Sequence, residues 1–297
     1  MAITRSSGHW RRATELRLPS DAFTNPNGSI NGLACFGPGS CTGAGGYNPI
    51  TTVGNLQAMV STESAGVWRR GFALKLPPDS LPQVNANLLA VSCVRRGSCV
   101  AVGFYEDTAS RGDLMAVTES GGKWRQAVKV AVPANADTSA GTGGELTGVA
   151  CVTPLSCFAV GQYTTQSGKF EAVAVTMSKG RWRRATEIGL PAGAAANPHA
   201  GLTSVACPKA GSCEAVGTYR DAAGIPQGMA VTRSSGRWRR AIKMPLPASS
   251  HGAEFESVAC TGSDRALRSA SSSPTPRSYQ DNMGDFSEGM AAVIPAP

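Results

Sequence analysis

The sequence has no apolar run approaching the ~18 residues of a membrane-spanning helix, so no membrane insertion is expected. Charged residues are only 16% of the 297, and the net charge of +8 comes without any long Lys/Arg run. A nucleic-acid partner is therefore not expected, although a basic chain is compatible with an acidic glycan or an anionic cell-envelope polymer. Only three histidines are present, His9, His199 and His251, at unrelated positions, and no metal centre is expected from them. No Gly-x-Ser-x-Gly elbow supports a Ser-His-Asp hydrolase. Gly141-Thr142-Gly143-Gly144 lacks the Gly-Lys-Ser/Thr of a phosphate loop and reads as a flexible connector. Cofactors are accordingly not expected.

What the chain does have is glycine (35 residues) and a repeat. Its five tryptophans, Trp10, Trp68, Trp124, Trp182 and Trp238, are separated by 58, 56, 58 and 56 residues. Each follows Thr-x-Ser-x-Gly-x and precedes an arginine, as in Thr232-Arg233-Ser234-Ser235-Gly236-Arg237-Trp238-Arg239-Arg240. A long, regular period marks a repeat architecture, whose units bury their faces against neighbours.

One unit, read from residue 202, holds four short segments: Leu202 to Cys207, Cys213 to Tyr219, Gly228 to Thr232 and Arg237 to Ile242. All are too short for helices, rich in Val, Ala, Thr and aromatics, and bounded by Gly, Pro, Ser or Asp. Four antiparallel strands per repeat predict an all-β fold, a β-propeller of about five four-stranded blades. The second strand recurs as CTGAGGY, CVAVGFY, CFAVGQY and CEAVGTY, its small residues fitting a place where backbones approach closely. A Leu/Val-Pro stop recurs at Leu18-Pro19, Leu76-Pro77, Val132-Pro133, Leu190-Pro191 and Leu246-Pro247. Proline donates nothing to a ladder and ends an outer strand.

Residues 1–260 are expected to be the propeller, and 261–297, a Ser/Pro/Arg-rich stretch, a disordered or irregular tail. Met1-Ala2-Ile3-Thr4 matches Met229-Ala230-Val231-Thr232, so the chain starts inside a unit, with no visible signal peptide. Joining the two ends would close five blades, the first strand of the last coming from Glu254 to Cys260; the alternative is a piece of a longer propeller.

Eight of nine cysteines form four pairs: Cys35/Cys41, Cys93/Cys99, Cys151/Cys157 and Cys207/Cys213. In each, one Cys ends a strand and the other opens its antiparallel neighbour, which brings them to disulfide distance. The spacing does not suit zinc, which wants ligands two to four residues apart converging in fours. Disulfides imply an oxidising, extracytoplasmic compartment. Cys260 is the odd one, without a counterpart in the divergent tail.

The unit S-V-A-C-x₅-C-x-A-V-G-x-Y followed by a Gly-x-Trp strand resembles a repeat of secreted proteins from high-GC Gram-positive bacteria, taken to be β-propellers. That resemblance covers residues 1–260 and implies fold and export, with no known activity. Thr-x-Ser-x-Gly-x-Trp also resembles a degenerate Asp-box, the turn motif of sialidase-like propellers. Here Ser6, Ser64, Ser120, Ser178 and Ser234 replace the Asp, and one residue is missing before Trp.

A glycosidase needs two carboxylates across the scissile bond. Glu106, Asp107, Asp113, Glu145, Glu171, Glu214 and Asp221 lie near blade loops, and none stands out as catalytic. The tryptophans are read as packing between adjacent blades, with sugar-stacking platforms as the rival. The arginines after them (Arg11/Arg12, Arg69/Arg70, Arg125, Arg183/Arg184, Arg239/Arg240) are read as protection of an outer edge strand. Arg111-Gly112-Asp113 is expected on an exposed loop. The sequence thus points to a monomeric, non-catalytic exported interaction module, recognising a glycan, an anionic envelope polymer or a protein through its loops. The alternative is a glycan-active enzyme of the sialidase-like or five-bladed glycosidase type.

Overall fold

In the computed structural model every element is a strand. It describes all residues except 7–8, 51–54, 82–84, 210, 247–251, 261–264, 273–287 and 296–297, and the side chains of 5–6 and of residues beyond 260 are also outside the description. Pro247 and His251 therefore lie outside the described residues.

Four antiparallel sheets follow one plan, the meander of a propeller blade. Blade one (29–73) runs Ser29–Gly37, Ser40–Tyr47, Gln57–Ser64, then a fourth strand in two pieces, Val67–Trp68 and Phe72–Ala73. Blades two (86–129), three (144–187) and four (201–243) repeat it. Flanking them are a two-stranded sheet, Arg5–Ser6 with His9–Trp10, and a three-stranded one, Ala253–Cys260, Arg265–Ser272 and Glu288–Pro295.

The chain forms two compact units. Unit one comprises 1–110 and 115–129, and unit two 111–114 and 130–297. Unit one's core joins side chains of blades one and two, among them Val60, Leu88, Cys99, Tyr105, Met115 and Val117, with Trp124 packed against it. Unit two's main core does the same for blades three and four through Val160, Ala174, Ile188, Leu202, Tyr219 and Val231, with Trp238 against it. A smaller cluster of Val216, Met244, Phe255 and Val258 covers the next sheet.

The fourth strand is broken for a physical reason. The backbone N–H of Arg69, Arg125, Arg183 and Arg239 still joins the ladder of its own blade. Two residues on, the N–H turns away to the preceding repeat: Gly71 to the Arg17 carbonyl and Ala127 to Lys75 within unit one, Ala185 to Ala131 and Ala241 to Gly189 within unit two. The side chain between them repeats the gesture. Arg70 donates to the carbonyl of Leu18, Gln126 to Leu76, Arg184 to Val132 and Arg240 to Leu190, each carbonyl belonging to the residue just before the recurrent proline. The arginine position read as edge protection is thus a clasp on the preceding repeat, and in blade two a glutamine does the same work.

Each cysteine pair is a disulfide, Cα atoms 4.0–4.1 Å apart; in the first three blades the two residues are directly opposite in the ladder, and in blade four the register is interrupted there. The glycine of the A-V-G strand is needed inside its own blade. At Gly103 a Cβ would strike the Asn87 carbonyl, where the neighbouring strand bulges between Leu88 and Ala90. Close approach is the reason given by the sequence, but the approaching backbone is the sister strand.

Two stretches of the segment expected to be irregular, Arg265–Ser272 and Glu288–Pro295, are strands. Arg265–Ser272 pairs with Ala253–Cys260 through the same bulged register as the second strand of the other blades. Its A-L-R-S-A-S-S sequence keeps the small residues that place requires while losing the Cys and Gly that mark it.

Candidate functional site

The tryptophans wall a recurring cleft on the outer strands. In unit one, Val60, Thr62, Arg70 and Phe72 of blade one face Glu119, Gly122, Lys123 and Trp124 of blade two across a cavity of about 430 Å³. In unit two, Thr176, Thr186, Glu187 and Ile188 of blade three face Arg237, Trp238, Arg239 and Arg240 of blade four across about 480 Å³. A third and larger cavity in unit one, about 650 Å³, is lined by Trp10, Trp68, Glu63, Leu33, Ile3 and the Cys35–Cys41 disulfide among others. Sites of this volume are the size that holds a small ligand.

Trp68, Trp124, Trp182 and Trp238 are half-buried, and the indole N–H of each is sealed from water with no hydrogen-bond partner among the described residues. Trp10 differs. It is 66% exposed, because its two-stranded sheet offers no inner strands for the ring to pack on. Trp10 is therefore not a buried packing residue.

The residue opposite the tryptophan in the ladder differs from blade to blade, and in the first two blades it lines the cavity. It is Glu63 beside Trp68, Glu119 beside Trp124, Met177 beside Trp182 and Arg233 beside Trp238. Glu63 and Glu119 are each only 6% exposed, and each has a carboxylate oxygen that accepts no hydrogen bond among the described residues. Burial pushes the Glu119 carboxyl above the usual carboxylate range. Arg233 is satisfied: its guanidinium lies 4.4 Å over the Phe158 ring and donates to the Gly236 carbonyl. Sequence reading passed over this position. Its signal is a residue that swings between acid, apolar and base inside an otherwise fixed Thr-x-Ser frame.

The carboxylates noted in the sequence divide into satisfied and strained. Asp107 is buried and lies 3.3 Å from the Lys129 Nζ, which also reaches Asp79 at 3.4 Å, itself the acceptor for the Tyr105 hydroxyl. Tyr47 donates likewise to Asp21. Glu145 accepts from Gln162, Glu214 from Thr232, and Asp221 from the N–H groups of Ala223 and Ile225 and from Gln227. Glu106 is half-buried on its strand. Asp113 is 7% exposed within the strand Gly112–Ser120, so Arg111-Gly112-Asp113 is not the exposed loop expected. Glu171 stands apart, its carboxyl raised first by burial and then by the charge of Glu187. Glu187 in turn accepts from the Tyr163 hydroxyl, whose oxygen also lies 2.9 Å from the Asn135 side-chain amide. Of the histidines, His199 stacks on Phe170 at 5.5 Å, and His9 is exposed on its short strand.

No family model matches the chain, and neither does any curated protein. Solved structures do match. A Hadza microbial sialidase aligns over 83% of this chain at 13% identity and TM-score 0.53, this chain spanning 56% of its length. A Penicillium chrysogenum α-L-arabinanase, complexed with arabinobiose, aligns over 99% at 13% identity and TM-score 0.50, with 84% of its own length covered. A protein of unknown function from Dyadobacter fermentans aligns over 93% at 10% identity and TM-score 0.53, with 80% covered. The fold is a β-propeller. It is one that admits carbohydrate-active enzymes, and at these identities the likeness reaches no further than the fold.

Proposed function

We propose that the chain is a non-catalytic glycan-binding module of the extracytoplasmic space. The observation that carries the reading is the recurrence of one cleft, with a tryptophan wall, an apolar floor and charged groups at the mouth, in both units. Repeated shallow sites suit a polymer with repeating units, since each engaged site raises the effective concentration at the next. Aromatic walls bind the apolar faces of sugar rings, and basic groups at the mouth favour acidic residues of an envelope polymer. Four disulfides favour an exported protein. Among the described residues no helix is long and apolar enough to cross a membrane.

A second reading, a glycan-cleaving enzyme, is favoured by Glu171, whose raised carboxyl beside Glu187 is the kind of acid that such chemistry uses. One experiment separates the two. The protein is applied to an array of neutral and acidic glycans at low and high salt, and bound glycans are recovered and sized. Binding that weakens with salt, with glycans intact, supports the module. Shortened glycans support the enzyme, provided Glu171→Gln abolishes the shortening; no binding at either salt removes the glycan reading.

A further inference from the structure

We infer that the Glu119–Trp124 cleft of unit one binds a pyranose residue that carries a carboxylate, an acidic sugar of the uronate type. This rests on the glycan-binding reading and names the sugar class and the residues.

Glu119 and Trp124 are partners across the ladder and both line the cavity, and each carries one polar atom, a carboxylate oxygen and the indole N–H, with no hydrogen-bond partner among the described residues. A buried polar atom left unmade costs about 1–3 kcal/mol, so a pair of them at a cavity wall marks a place where a ligand completes the bonding. An acceptor and a donor supplied by ladder partners are the complement of two hydroxyl groups of one sugar ring: one donates to the carboxylate, and the oxygen of the other accepts from the indole. Val60 forms an apolar floor, and Phe72, 54% exposed, presents a ring for the C–H face of the sugar. Arg70 and Lys123 stand exposed at the mouth. Arg70 commits one N–H to Leu18, and its other donors remain for a ligand carboxylate.

The charges fit an acidic ligand, two cations at the mouth against one carboxylate set deep. The raised proton affinity of Glu119 further softens its repulsion of an anion. Both orphan atoms are sealed from water, so a ligand reaches them only when side chains of the cleft move. In blade four Arg233 replaces the acceptor, so the cleft beside Trp238 does not offer the same pair.

The test uses the full chain labelled with 5-fluorotryptophan, the Trp124 resonance being assigned with Trp124→Phe. Fluorine spectra are recorded during titration with an oligomer of glucuronic acid, a neutral glucose oligomer and inorganic polyphosphate. The expected result is a shift of the Trp124 resonance with the glucuronate oligomer alone. The apparent affinity should fall about tenfold or more in Glu119→Leu, which removes the acceptor, and less in Glu119→Gln, which keeps an acceptor oxygen. Lys123→Ala should flatten the salt dependence. Shifts confined to other tryptophans would overturn the assignment of this cleft while leaving glycan binding intact. Equal shifts with neutral oligomer or polyphosphate would overturn the acidic-sugar class. No shift with any saccharide, where the array shows binding, overturns the inference alone; silence in both removes the reading beneath it.

Discussion

The cleft of unit one and that of unit two are built on the same frame and filled differently. Both take their tryptophan from the start of a fourth strand, and both lie beside a clasp to the residue before a proline. In unit one the ladder partner is Glu119, buried, with one carboxylate oxygen unbonded among the described residues; in unit two it is Arg233, stacked on Phe158 and bonded to Gly236. One side chain is spent on the fold and the other is held against it. On the proposed reading, the shared positions maintain the scaffold, and this variable position is left for a ligand where it holds Glu119.

The largest effects should come from the shared frame. Trp124→Ala and Trp238→Ala should each destabilise by about 3–5 kcal/mol in chemical unfolding, whereas Trp10→Ala, at an exposed ring, should change stability by no more than about 0.5 kcal/mol. Near-zero values at 124 and 238 would make those rings ligand platforms and nothing else. Removing the disulfide of blade two as Cys93→Ala/Cys99→Ala should cost about 2 kcal/mol, because it releases a short loop in the unfolded chain. The blade-three pair, Cys151 with Cys157, should give the same figure, and a large inequality would break the equivalence of the units. Arg240→Ala and Gln126→Ala should each cost about 1 kcal/mol for one lost clasp bond. Arg233→Ala should cost a similar amount through the uncovered face of Phe158.

The smallest effect is the pH dependence that Glu119 contributes in unit one. The folded-state carboxyl of Glu119 is raised above its unfolded value, so folded protein holds the proton longer. Stability is therefore lost as pH rises from the unfolded value through the folded one. Glu119→Gln should remove that loss, its advantage over the wild type being absent at the acid end of the window and growing above it. A constant difference at all pH would mean that the carboxyl is not desolvated.

Much of the fold is legible in the chain because repetition supplies what a single unit cannot. The Thr-x-Ser-x-Gly-x-Trp frame, the cysteine spacing and the prolines place four strands per unit with errors of one or two residues, as Gly201–Lys209 against Leu202 to Cys207 shows. The strand Arg265–Ser272 escaped notice because its marker residues are gone while its small ones stay. The clasps were hidden because the acceptor is a backbone carbonyl some fifty residues away, and an arginine looks the same whether it serves an edge or a neighbour. The cleft was half legible. Its tryptophan is written in the repeat, but the unbonded state of Glu119 depends on what surrounds it in three dimensions.

The equilibrium unfolding midpoint of Glu119→Leu tests the division between shared and variable positions most directly. If the carboxylate is held for a ligand at the expense of the fold, an apolar side chain of similar size relieves an unmade bond, and the midpoint rises above the wild-type value at neutral pH. A lower midpoint would show that Glu119 supports the scaffold, and the contrast with Arg233 would then carry no functional meaning.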